Sequence, residues 1–187
     1  MNTALFRALL LLAAFVGFSP ARAEEAVKID VCFNYGCITQ WSVAFAPNAL
    51  NALLRELAEA KDAESEREKL AAVIGRLYAL AAEQTPVGND KGGNYADVAV
   101  WGRMDCIDHS TTTTRFLRLI EARGGLRWHR VLEPVRRMRF FVLQHLSAVI
   151  EDAEGKAYAV DSWFVDNGEP AIILPLEDWM NGAGPDV

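Results

Sequence analysis

Asp152-Ala153-Glu154-Gly155-Lys156 separates two apolar, β-rich runs, 139–151 and 156–165, and its composition marks a tight turn. A three-residue loop, Ala153 to Gly155, with glycine in the left-handed position, joins antiparallel strands. The run before it is apolar on both faces, as expected of a central strand. Two further strand-like stretches, 126–132 and 171–174, flank the pair. This half of the chain therefore reads as an antiparallel sheet.

Upstream, the periodicity is helical. Leu50, Leu53, Leu54 and Leu57 mark a helix over 47–60. Ser65 and Glu68 predict a capping box ahead of Leu70, Val73, Ile74, Leu77 and Leu80, which share one face. The charges Glu56, Glu59, Glu64, Glu66, Arg67, Glu68 and Lys69 then fall on a solvated surface. A third helix, 106–123, carries Cys106, Ser110, Thr113, Leu117 and Ile120 in one stripe, and Gly124-Gly125 ends it. Thr111 to Thr114 are poor helix formers, so packing must hold that turn. An earlier hairpin, 27–31 with 38–45, precedes all three. Helices followed by an antiparallel sheet define an α+β class, with the N-terminal helices and the cysteine-bearing helix packed on the sheet.

The N-terminus reads as a cleaved secretory signal over 1–23. The apolar run 8–18 is too short for a stable anchor, and Ala21 and Ala23 fit a processing site. Removing 23 of the 187 residues leaves 164, and with Arg7 and Arg22 gone the formal charge moves from −6 to −8. That length suits a single domain, 24–187, with a hairpin-and-helix part over 24–84 and a core over 95–180. An acidic chain argues against nucleic acid as a partner. The expectation is a periplasmic or secreted protein with no stable membrane anchor.

Export gives the three cysteines meaning, because an oxidising compartment lets disulfides persist. Cys32 and Cys37 flank Phe33-Asn34-Tyr35-Gly36, where a cross-link closes the first hairpin and leaves Cys106 unpaired. Asp105 caps the third helix and Cys106 takes its first position, where backbone N–H groups and the helix dipole favour a thiolate. The flanking carboxylates oppose that effect. The 153–155 hairpin sets His145 opposite Trp163, with Asp161 as diagonal neighbour on the same face. Cys106, His145 and Asp161 then supply a nucleophile, a base and an orienting acid, and the Cys106 N–H an oxyanion donor.

Other constellations carry less. Cys106 and His109 form a C-x-x-H pair, but a structural zinc needs two more ligands, and Cys32 and Cys37 serve only if reduced. No metal or cofactor is expected. His109 is placed near the cleft or on a surface contact. His129 is a rival base with no acid at hairpin spacing. The arginines from Arg115 to Arg139 are expected to pair with the glutamate-rich helices. The loop 85–94, rich in Gly and Asn, is either a connector or a substrate-contacting segment.

A cysteine at a helix start, a histidine on a later strand and an aspartate on the next, in that order over 105–163, resembles the transglutaminase-like core of the papain-like cysteine enzymes. The resemblance implies a cysteine peptidase, amidase or acyltransferase acting on a peptide, protein or cell-wall peptide substrate, without a cofactor. It also implies an oxyanion stabiliser upstream of the nucleophile, for which Trp101 is the nearest candidate. Asp161-Ser162-Trp163 departs from the Asp-Pro common in that family. Two alternatives stand beside it: a cell-wall peptidase of the NlpC/P60 type, which also favours an Asp-Cys pair at a helix start, and a non-catalytic periplasmic binding or adaptor domain with a vestigial cleft.

Overall fold

The computed structural model of the chain describes residues 25–94, 96–139 and 143–185. The signal segment 1–23 lies outside the described residues. Two antiparallel sheets and four helices follow in the order β1 (Val27–Phe33), β2 (Thr39–Phe45), α1 (Pro47–Ala58), α2 (Ala63–Ala82), α3 (Cys106–Ala122), β3 (His129–Arg139), β4 (Leu143–Asp152), β5 (Ala157–Asp161), β6 (Ile172–Pro175) and α4 (Leu176–Met180). β1 and β2 pair alone, and the larger sheet runs β3-β4-β5-β6. The class is α+β. No helix among the described residues is long and apolar enough to cross a membrane.

α3 is the central element. Phe116, Leu117 and Ile120 are fully buried in one apolar cluster with Val31, Phe33 and Phe45 of the first hairpin, Leu70, Ile74 and Leu77 of α2, and Ala148, Ile150 and Val160 of the large sheet. Each of these side chains larger than alanine contributes roughly 1.5–3 kcal/mol of transfer free energy. The threonines hold through specific partners. Thr112 Oγ1 accepts the Cys32 N–H at 3.0 Å, and Thr113 Oγ1 meets the Tyr78 hydroxyl at 3.0 Å. β-branched residues are thus kept in a helix by contacts a strand or coil would forfeit.

The β4–β5 turn forms as its composition requires. Glu151 pairs with Ala157 and Ala148 with Val160. Gly155 takes φ +81°, where a side chain is disfavoured. Asp152 Oδ1 accepts the N–H groups of Glu154 and Lys156 at 3.2 and 2.8 Å and fixes the turn. Alternation then divides the sheet. Ala148, Ile150 and Val160 face α3, whereas Ala159 packs with Trp179, Trp163 and Ile172 on the opposite face.

Several boundaries differ from the sequence reading. The strand expected over 126–132 is β3, which continues to Arg139 by a register shift between Leu132 and Val135. The irregularity accommodates Pro134, which cannot donate to a ladder. β5 ends at Asp161 rather than 165, because the chain turns away at Ser162 to Phe164. α2 is capped by Asp62, not Ser65: Asp62 accepts the Ser65 N–H at 2.8 Å, and the Ser65 hydroxyl takes the role assigned to Glu68. Two residue pairs satisfied the same three-residue spacing, and the first of them forms the cap.

Glu66 is not on a solvated face. Its carboxylate is fully buried and accepts the backbone N–H of Arg127 at 2.7 Å and of Trp128 at 3.2 Å, with His129 Nδ1 at 2.8 Å. These bonds fasten α2 to the start of β3. Burial alone would raise its pKa, but the His129 contact and the two N–H donors outweigh it and hold the carboxyl below its usual 4.5. The Glu66 contribution is present above that value and is lost as pH falls through the lowered native one. Glu66→Gln is expected to cost about 3 kcal/mol in urea unfolding at pH 7, because it leaves buried partners uncompensated. Exposed Glu68→Gln should stay within about 0.5 kcal/mol; equal losses would contradict this account.

Candidate active site

The site is assembled at the start of α3. Asp105 Oδ1 accepts the N–H groups of Ile107 and Asp108, both at 3.0 Å, and Asp108 Oδ2 accepts the Asp105 N–H at 3.0 Å, a reciprocal capping box. The turn of the first hairpin closes over it. Asn34, Tyr35, Gly36 and Cys37 are successive left-handed residues, with φ of 66°, 68°, 63° and 57°. Such a run points its N–H groups into one concavity that binds anions. Here the anions are the caps: Tyr35 N–H to Asp108 Oδ2 at 2.8 Å, Gly36 N–H to Asp105 Oδ2 at 2.9 Å, and Cys37 N–H to Asp108 Oδ1 at 2.7 Å. The Cys32–Cys37 disulfide, present as expected, closes this turn.

The chain leading into α3 is held by the same turn. Asn34 Oδ1 accepts the Gly102 N–H at 3.0 Å, and the Asn34 N–H donates to Arg103 O at 2.7 Å. Gly102 has φ +99°, and a Cβ there would lie 2.1 Å from Pro86 O, so only glycine fits. Asp108 is fully buried, and burial, with the Asp105 charge adding, raises its carboxyl from 3.8 to about 6 in spite of its N–H donors. Charging this group works against folding, so its contribution grows as pH falls from about 6 towards 3.8.

Cys106 is the free cysteine and is half-buried. Ile107 and Asp108 donate to the Asp105 side chain and His109 to its carbonyl. The Cys106 N–H, at the first helical position, is directed to its own sulfur rather than to the cap. The thiol is not depressed: burial pushes it above its usual 9.0, with Asp105 and Asp161 adding, against an easing effect of the Leu146 N–H and of its own backbone N–H. Helix position, which favours a thiolate, is outweighed by desolvation and by two carboxylates.

His145 and Asp161 meet as the register predicts. His145 Nε2 lies 2.7 Å from Asp161 Oδ2, with His145 8 % exposed. Asp161 Oδ2 also accepts Trp179 Nε1 at 2.8 Å, and Oδ1 accepts the Trp163 N–H at 3.1 Å. The rings of Trp163, Phe164 and Trp179 surround the imidazole at 4.6, 5.5 and 5.5 Å. This dyad projects from the sheet face opposite α3, alongside Arg137, its partner across β3–β4. No hydrogen bond joins it to Cys106. The two parts meet through β4 and the dyad's acid: the Leu146 N–H faces the sulfur, and the Asp161 charge acts on it.

Behind Cys106 lies a buried network the sequence did not reveal. His109 is not at a surface; its Nε2 meets Asp90 Oδ2 at 3.0 Å and its Nδ1 meets Ser162 Oγ at 2.9 Å. Ser162 also bonds Thr113 Oγ1 at 2.9 Å, and Asp90 Oδ1 accepts the Met104 N–H at 2.6 Å. Burial disfavours charge on His109, but the Asp90 carboxylate more than offsets it and the pKa is raised. The network ties the residue after Asp161, the residue before Asp105 and α3 into one block. His129 likewise has an acid, Glu66, from α2 rather than from a hairpin.

The loop 85–94 is pinned rather than open. Gly93 N–H donates to Trp163 O at 2.8 Å, Gly92 N–H to Asp166 Oδ1 at 3.0 Å, and Trp163 Nε1 to Asn94 Oδ1 at 2.7 Å. Asn94 thereby stands beside the ring that covers His145. Trp101 is 57 % exposed, with its ring edge-on to Phe33 at 5.9 Å. Of the arginines expected to meet the glutamate-rich helices, Arg118 pairs instead with Glu121 and Glu133, and Arg130 with Glu151. Concavities of about 510 and 590 Å³ lie elsewhere, one around Arg127 to Arg130 and Glu151 to Gly155, the other between Lys156 and Leu176 to Met180. Comparison with families of known proteins, with curated proteins and with solved structures finds no match.

Because burial raises the Cys106 thiol, its alkylation by a neutral maleimide should keep accelerating with pH beyond 9, with no plateau near neutrality. Stopped-flow labelling between pH 5 and 10 measures this. A sub-neutral inflection that disappears in His145→Ala would instead mean a preformed thiolate–imidazolium pair.

Proposed function

We propose that this chain is an exported cysteine-nucleophile enzyme that hydrolyses or transfers the acyl group of a peptide or side-chain amide, on a transglutaminase-like, papain-like core. Cys106 is the nucleophile, His145 the general base and acid, and Asp161 the acid that orients the ring. The observation that carries the reading is the 2.7 Å His145 Nε2–Asp161 Oδ2 contact, which leaves Nδ1 for a proton from a thiol. The only free cysteine among the described residues begins the helix that abuts the same strand.

The raised thiol pKa shapes the mechanism. Proton transfer from Sγ to His145 Nδ1 accompanies attack on the carbonyl carbon instead of preceding it. The developing oxyanion takes the Cys106 N–H, the amine leaves with the proton from His145, and water or a second amine attacks the thioester. Asp161, fixed by Trp179 and the Trp163 N–H, holds the imidazole in the tautomer with Nε2 protonated. Closure of sulfur on nitrogen belongs to the substrate complex, as is common for catalytic contacts that are long in the free enzyme. A carboxylate in the third position favours this reading over the NlpC/P60 type. The unjoined thiol, and concavities lined by neither Cys106 nor His145, favour, as second reading, a binding or adaptor domain with a vestigial cleft.

An activated aryl ester separates these readings. The enzyme should acylate once, at Cys106, by intact mass and peptide mapping. His145→Ala should slow acylation by ~10²–10⁴-fold, and Asp161→Asn should fall in the same direction with folding intact by circular dichroism. Acylation unchanged in His145→Ala would leave the binding-domain reading standing.

A further inference from the structure

Arg115, on α3, has a guanidinium with no carboxylate partner among the described ion pairs. Its NH1 donates to Asp30 O at 2.8 Å and lies 3.4 Å from Cys32 Sγ. A cation held against one sulfur of a disulfide stabilises that sulfur as a thiolate. The two sulfurs differ in a second way. Cys32 is fully buried whereas Cys37 is half-exposed in the turn, so an incoming thiol has access to Cys37. A third feature is Asp108, whose carboxylate lies with both sulfurs inside a 4.8 Å cluster and whose Oδ1 accepts the Cys37 N–H.

We propose that the Cys32–Cys37 disulfide is a second chemical site, a thiol-exchange centre in which a dithiol attacks Cys37 Sγ and Cys32 Sγ leaves as a thiolate against Arg115. It is independent of whether Cys106 acts as a nucleophile. The co-reactant is a dithiol, either a small molecule or a protein with a reactive cysteine pair. One of its sulfurs, as thiolate, bonds to Cys37 Sγ while the Cys32–Cys37 bond breaks and its electron pair stays on Cys32. The second sulfur, having lost its proton, attacks the first and releases Cys37 Sγ, which takes up a proton. The dithiol is oxidised to a disulfide and the protein pair is reduced, by two electrons.

Opening the pair frees the turn whose N–H groups hold Asp105 and Asp108, so the same reaction releases the cap of the helix that carries Cys106. Charge at this position serves exchange; a purely structural cross-link has no use for an unneutralised guanidinium on its inner sulfur. Arg115 acts as a positioning and electrostatic residue for the leaving sulfur.

The test uses the full chain without denaturant, in a Cys106→Ser background that removes the third thiol from the count. Equilibration in dithiothreitol redox buffers, acid quench, alkylation and mass spectrometry give the reduced fraction. Brief exposure to glutathione gives the site of mixed-disulfide formation. Glutathione should be trapped on Cys37 alone, and the pair should open under native conditions. Arg115→Gln should shift the redox equilibrium towards disulfide by on the order of tenfold, the size of a one-unit change in thiol pKa, and Arg115→Lys should recover most of it. If Arg115→Gln does not fold, the wild-type trapping site and the lysine variant still decide. A pair that opens only in denaturant, glutathione on Cys32, or an equilibrium the same in the glutamine variant as in wild type would each overturn the proposal.

Discussion

Two carboxylates at the start of α3 are the joint on which the molecule turns. Asp105 and Asp108 cap their own helix, and three N–H groups of the Asn34–Cys37 turn converge on them at 2.7 to 2.9 Å. Neither half of this contact is stable alone. Four residues in left-handed conformation cost backbone energy, three of them without being glycine, and two neighbouring carboxylates repel. Together they satisfy each other, and the apolar faces of the hairpin, α2 and the large sheet then close around α3. The position of Cys106 follows from this joint more than from its own side chain.

The sheet contributes the other half of the site, and a single turn governs it. Asp152 and Gly155 fix the register, the register puts His145 and Asp161 on one face, and Trp179 from α4 completes the acid's environment. A polar network from Asp90 through His109 to Ser162 couples that strand end back to α3. Cys106 and the His145–Asp161 pair, from different layers, are thereby tied to one block by buried hydrogen bonds rather than by direct contact between them. Desolvation of the block also raises the thiol, so Cys106 is protonated at neutral pH.

Local chemistry was legible in the sequence, and layer geometry was not. The α+β class, the extent of α3, the first disulfide and the β4–β5 register all follow from signals a few residues long. Alternation put His145 and Asp161 on a common face, but it could not say whether α3 or α4 covers that face. Glu66 looked like one more surface charge because its partners, the N–H groups of Arg127 and Trp128 and the ring of His129, lie some sixty positions away. Trp179, the donor to Asp161, is hidden for the same reason. A buried acid or indole carries no local mark of its partner.

The central claim is that the Cys106 sulfur and the free nitrogen of the His145–Asp161 dyad belong to one site. Nitrogen-15 NMR of the histidine side chains, with and without alkylation of Cys106 by a small uncharged group, tests it directly. The account predicts a His145 ring with Nε2 protonated, whose Nδ1 chemical shift changes when Cys106 is capped, while His129 does not respond. A His145 resonance indifferent to the state of Cys106 would contradict it.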